Sequence, residues 1–184
     1  MAETDDSILV AQLGDPQLRR SAFGKLVQKY QQPIYWHIRK MVLNHDDAND
    51  VMQNTFLKAW AGLESFRGES KISTWLFRIA VNETITFLNQ LKTRAVSSAD
   101  GEAENLMLQN LEADPYFSGD ETQKRFQQAI LLLPEKQRLV FNMKYFDDMK
   151  YEEMEDVLGT SVGALKASYH HAVKKIESFL LSDL

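Results

Sequence analysis

Between residues 46 and 63, apolar and small side chains recur at steps of 3, 1, 3, 1, 3, 1 and 3: Ala48, Val51, Met52, Thr55, Phe56, Ala59, Trp60 and Leu63. That rhythm is one face of an α-helix. A β-strand cannot bury it, because a strand turns alternate residues to the same side. Asp46 or Asp47 is expected to cap the start, and Gly62 lies near the end. A second helix is expected from about residue 70 to 91, with Ile72, Trp75, Leu76, Ile79 and Ala80 inward. Upstream, PQLRRSAFGKLVQKYQQPIYWHIRKMVL reads as helix, interrupted near Pro33, whose ring removes a backbone donor. No stretch shows convincing period-two alternation, so the expected fold is all-α.

The segment RAVSSADGEAENLMLQNLEADPYFSGDE breaks the pattern. Residues 96–119 hold five acids and no base, a net charge of −5 that equals the charge of the whole chain. It reads as a linker, with ENLMLQNL able to form a short helix. Residues 1–95 carry net +2 and residues 120–184 net −2. The expected division is therefore a helical domain over 1–95, an acidic linker over 96–119 and a second helical domain over 120–184. Pro134 suits the first turn of a helix in the second domain.

The chain nearly closes on GTSVGALKASYHHAVKKIESFL. With Ser161 as N-cap and about 100° per residue, Val162, Leu165, Tyr169, Ala172, Val173 and Ile176 share one side. Opposite them lie Gly163, Ala167, His170, His171, Lys174 and Lys175, with Lys166 on the flank. Small residues let a helix backbone approach a groove wall, and basic ones meet phosphates. Thr160 and Ser161, with N–H groups behind them, suit a phosphate at the helix start. The short YEEMEDVL, the Gly159 turn and this helix have helix-turn-helix spacing.

Other chemistries find little support. The chain has no cysteine, which fits a reducing cytosol and leaves no disulfide frame. The start MAETDDSILV is acidic where a signal peptide is basic, and no apolar run reaches the roughly 20 residues of a membrane span. His170 and His171 diverge by about 100°, whereas a helical zinc pair stands four residues apart. His45 with Asp46, Asp47 and Asp50 is explained by capping and solvation. There is no nucleophile–base pair, P-loop or dinucleotide turn. A soluble cytoplasmic protein is expected, with no catalytic role, cofactor, metal or small-molecule substrate.

Two distant segments read together carry a resemblance. DVMQNTFLKAWAGLESFRGESKISTWLFRIAVN resembles region 2 of the sigma-70 family of bacterial transcription initiation factors, and LPEKQRLVFNMKYFDDMKYEEMEDVLGTSVGALKASYHHAVKKIE resembles region 4. With only an acidic linker between them, the layout is similar to the extracytoplasmic-function (ECF) group. The resemblance implies partners: core RNA polymerase, promoter DNA and an anti-sigma factor. It places polymerase contacts at Asp50, Gln53, Asn54 and Leu57. It places reading and melting of the minus-ten element at Phe66, Arg67, Lys71, Arg78 and Asn82, with Phe66 and Asn82 near a pocket for a base taken out of the stack. It places reading of the minus-thirty-five duplex at Thr160, Ser161, Lys166, Ala167, Ser168, His170, His171 and Lys174. Glu155 stands where helix-turn-helix motifs usually have a small residue, so slightly splayed helices are expected. The competing expectation is a helix-turn-helix regulator that is not a polymerase subunit.

Overall fold

Helix propensity and burial agree along most of the chain, and the computed structural model, which describes residues 2–97 and 121–182, is helical throughout those residues apart from short connections. The helices are α1 (Ala2–Gly14), α2 (Arg19–Val42), α3 (His45–Gly62), α4 (Ile72–Ser97), α5 (Glu121–Leu131), α6 (Glu135–Tyr145), α7 (Tyr151–Leu158) and α8 (Val162–Leu181). Residues 98–119, which hold nearly all of the expected acidic linker and its short helix, lie outside the described residues.

Helix α1 had no clear signal in the sequence. It packs on α2 through buried Leu9 and Leu13, and the Asp6 carboxylate accepts from Lys29 Nζ and the Tyr30 hydroxyl, each at 2.7 Å. Burial, with the Asp6 hydrogen bond added, pushes the Tyr30 hydroxyl up to about 12.

Helix α2 corrects the expected break at Pro33, because it runs unbroken past that residue. Pro33 faces solvent, so the carbonyl it deprives of a partner lies on the wet side, while Leu26, Tyr30, Ile34 and Ile38 stay buried on the other. The cap of α3 is Asn44, not Asp46 or Asp47: its Oδ1 accepts from the N–H groups of Asp46 (2.9 Å) and Asp47 (3.1 Å). The two aspartates fall in the first turn, where their charge suits the helix dipole. Asn44→Ala is expected to cost about 1 kcal/mol in urea unfolding. Helix α4 begins at Ile72 and runs past the expected end, to Ser97.

Helices α5, α6 and α8 enclose their own cluster of Ala129, Ile130, Leu133, Phe141, Ala172 and Ile176. Phe141 stacks between Tyr145 and Tyr169, with centroids 5.1 and 5.7 Å away. Pro134 sits at the N-cap of α6, one residue before its first turn.

The two helical groups pack against each other. Leu139, Val140, Met143, Met154, Val157 and Leu165 belong to the same apolar core as residues of α1 to α4. Beside that seam, Asp147 accepts from His37 Nδ1 (2.6 Å) and Lys40 Nζ (3.0 Å), and His37 is fully buried. Burial raises the Asp147 carboxyl, but the His37 hydrogen bond and the charges of His37 and Lys40 outweigh it and hold the group below its ordinary value. A carboxylate with a depressed native pKa stabilises the fold above its unfolded pKa and loses that contribution as pH falls through the native one. Asp147→Asn is therefore expected to lower stability at neutral pH, and wild type and variant should converge in urea unfolding once the pH falls below the depressed native pKa of Asp147.

Candidate nucleic-acid interface

The turn before α8 is built from backbone requirements. Gly159 takes a left-handed conformation (φ 62°) and its N–H bonds the Glu155 carbonyl at 2.8 Å, which ends α7. Ser161 then caps α8, accepting from Ala164 N–H at 3.4 Å. Glu155 does not merely crowd the turn, because its carboxylate accepts from Val162 N–H at 3.3 Å and ties the two helices together. Two of the N–H groups expected to meet a phosphate behind Thr160 and Ser161 are thus already taken, and a carboxylate stands beside them. Thr160 itself bonds back to the Leu158 carbonyl (3.5 Å). The start of α8 is thus closed in part by its own side-chain caps.

Along α8 the expected faces are observed. Leu165, Ala172 and Ile176 are buried, while Ala167, His170, His171, Lys174 and Lys175 are exposed. Ser168 is half-buried at the edge of the strip. Lys166 is exposed, and its Nζ lies 5.6 Å from the Tyr151 ring, so it leans towards α7. The open strip is small near the helix start and basic further on, as a helix entering a duplex groove requires.

The residues expected at the minus-ten element do not form one pocket. Phe66, packed on Trp75 at 5.1 Å, and Lys71 line a cavity of about 490 Å³ together with Asp6, Val10 and Gly68. That volume falls in the ~300–1,000 Å³ range of small-ligand sites. Arg67 is exposed in the same loop. Asn82 is exposed on α4 but does not line the cavity; at 1.5 Å per residue it stands ~15 Å along the helix from Ile72. Arg78 donates to the Asp156 carbonyl, and Lys71 lies 3.6 Å from the Glu153 carboxylate, so both face α7.

On α3, Asp50, Gln53, Asn54 and Leu57 are all exposed. The first two and Leu57 line a groove of about 520 Å³; Asn54 stands outside it. The sequence placed Trp60 in the core, yet it is 43% exposed at the lip of this groove, edge-on to Phe23 at 5.0 Å. Leu57 is 62% exposed beside it. Trp60 keeps the spacing of the apolar stripe, between buried Phe56 and buried Leu63, yet its ring stands at the lip of the groove. Among the described residues no group of three or more His, Cys, Asp or Glu could hold a metal ion, and no helix is long and apolar enough to cross a membrane.

Comparison with known proteins bears directly on these surfaces. Residues 26–94 match Sigma-70 region 2, and residues 123–176 match Sigma-70, region 4. The helices bearing the groove and the minus-ten residues fall in the first match, and the helix-turn-helix in the second, which makes this a sigma-70 type of protein. The chain belongs to the ECF group of the sigma-70 family. It is 33% identical over 158 residues to the ECF RNA polymerase sigma factor SigW of Bacillus subtilis, covering 82% of this chain and 84% of that one. It is 31% identical over 182 residues to the ECF RNA polymerase sigma-E factor of Escherichia coli K12, covering 94% and 93%. Among solved structures, CnrH in complex with the cytosolic domain of CnrY superposes with a TM-score of 0.70 at 26% identity, covering 97% of this chain and 99% of that one. The sigma factor RpoE in complex with the anti-sigma factor NepR from Bartonella quintana shares the fold, also at TM-score 0.70, with 22% identity over 88% and 98% of the two chains.

Proposed function

We propose that this sigma factor divides its work among three surfaces: the α3 groove for core RNA polymerase, the 66–82 segment for the minus-ten strand, and the open strip of α8 for the minus-thirty-five duplex. Region 2 would span 1–95 and region 4 would span 120–184, with 96–119 joining them. The chain directs polymerase to promoters as a non-catalytic initiation factor, working in the cytoplasm and held in check by an anti-sigma partner. The observation that carries the reading is the segregation on α8: Leu165, Ala172 and Ile176 are buried on one side, and His170, His171, Lys174 and Ala167 are left outward together. A helix-turn-helix regulator outside polymerase is not favoured, because it leaves the region 2 match over 26–94 without a purpose.

Within the open strip, lysine and histidine have different tasks. Lys174 carries only donors and a full charge, so it is assigned to phosphate. Lys174→Ala should weaken binding to all sequences alike and lower the salt slope by about one unit. His171 can donate or accept at a base edge, so His171→Ala should change the preferred base at one position by about 1–3 kcal/mol. The test is a titration of holoenzyme over a randomised minus-thirty-five element. Uniform loss with unchanged preference in both variants contradicts base reading by histidine.

A further inference from the structure

None of the residues assigned above to DNA or polymerase lines a cavity of about 530 Å³ bordered by α2, α4, α5 and the loop after α6. Three of its walls are rings: Trp36 of α2, Phe77 of α4 and Phe146 of the loop. Its charged lining residues, Lys40 and Asp147, already satisfy each other at 3.0 Å, and Lys40 Nζ also lies 4.7 Å over the Phe146 ring. The polar remainder is a pair of α5 glutamines, Gln123 and Gln127, four residues apart and so on one face of the helix. Gln127 is only 7% exposed, yet its side-chain amide has no hydrogen-bond partner among the described residues. Buried amides without a partner are rare, because each forfeits its bonds to water and receives nothing in exchange. The cavity that Gln127 lines is the space from which a partner can reach it.

We propose that this cavity binds a small, neutral, planar heterocycle whose edge carries a hydrogen-bond donor beside an acceptor, as adenine does. The Gln127 amide oxygen accepts from the exocyclic amino group, and its NH2 donates to the neighbouring ring nitrogen. That two-point pairing is the one by which glutamine recognises adenine. The aromatic walls supply flat apolar faces on which a base stacks. The volume lies within the ~300–1,000 Å³ of small-ligand sites and accommodates a base with its sugar. Gln123, exposed on the same face of α5, is left for the sugar hydroxyls. The ligand is uncharged, because the cavity offers no unmatched cation: a phosphate placed there meets Lys40 already neutralised and the Asp147 carboxylate beside it. This site does not depend on the promoter-reading assignments.

The test is a calorimetric titration of the full-length protein with three probes: adenosine, adenosine monophosphate, and N6,N6-dimethyladenosine, which keeps the ring but has no donor on its edge. Adenosine should bind with a Kd below about 1 mM, and the dimethyl analogue about 10-fold more weakly. The monophosphate should bind no more tightly than adenosine. Gln127→Leu keeps the burial and removes the amide, so it should weaken adenosine binding by at least about 5-fold. The same variant should not lower the urea midpoint, since the amide it removes has no partner in the described chain. Gln123→Ala, at an exposed position that folding does not need, should weaken adenosine by about 3-fold and gives a second reading of the site. No adenosine binding below about 1 mM, equal binding of the dimethyl analogue, or a monophosphate more than about 10-fold tighter each overturns the proposal. So does unchanged adenosine affinity in the folded Gln127→Leu protein, which places any binding elsewhere.

Discussion

Replacing Leu57 and Trp60 together by alanine is expected to weaken binding to core RNA polymerase by about 3 kcal/mol, on the order of 100-fold. Both side chains stand at one groove, and both are apolar and exposed at 62% and 43%. An exposed Leu by itself needs no explanation, but an exposed Trp beside it, rimmed by Asp50 and Gln53, has the composition of an interface centre with a polar edge. The effect should divide unequally. Trp60 has the larger area and the rigid ring, so Trp60→Ala should account for most of the loss. Trp60 also packs edge-on to Phe23, so its removal should lower stability by about 1 kcal/mol, whereas Leu57→Ala should leave stability nearly unchanged. Adding Gln53→Ala should weaken binding further and leave helicity unaltered. Affinity is measured by equilibrium titration of labelled protein with core enzyme, alongside circular dichroism. Undiminished affinity in the folded double variant contradicts the groove's assignment.

The second large effect lies in the core under the recognition helix. Leu165 is in the first turn of α8 and almost wholly buried, sharing the main core with Met154 and Val157 of α7. Leu165→Ala removes one methine and two methyl carbons from a site walled by two helices and the turn between them. The expected cost is about 2–5 kcal/mol, depending on how far the walls relax. Because those walls set the angle of α8, the variant should also lose discrimination among minus-thirty-five sequences. His171→Ala gives the contrast: it changes sequence preference without moving the urea midpoint. If Leu165→Ala leaves the midpoint in place, α8 is not held by this contact and the rigid presentation of its open strip is wrong.

Sequence periodicity carried most of the architecture because nearly every helix has a buried stripe of the right spacing. The faces of α8 and the exposed polar side of α3 followed directly. The misreadings have local causes. At Pro33 a helix-breaking residue is overruled by burial on the opposite face, a balance that lies in tertiary packing. At Trp60 the stripe continues by spacing, yet the ring stands at a groove lip against Phe23 rather than in the core. Asn44 was passed over for two neighbouring aspartates, since capping depends on backbone angles that composition does not give. Phe66 lines the cavity beside α1 while Asn82 stands further along α4, a separation that a motif comparison does not show. The His37–Asp147–Lys40 contact had no sequence signal, because it joins residues from two halves of the chain that periodicity treats separately.

The central claim is that this one chain supplies polymerase with promoter selectivity through two separate readers. Purified core RNA polymerase, which starts poorly on its own, is mixed with this protein alone and a library of genomic fragments, and run-off transcripts are sequenced. The account predicts discrete start sites that share two upstream elements, one near minus ten and one near minus thirty-five. It further predicts that His171→Ala alters the consensus of the upstream element only. Transcripts no different from those of core enzyme alone, with the protein folded and its DNA affinity intact, would contradict it.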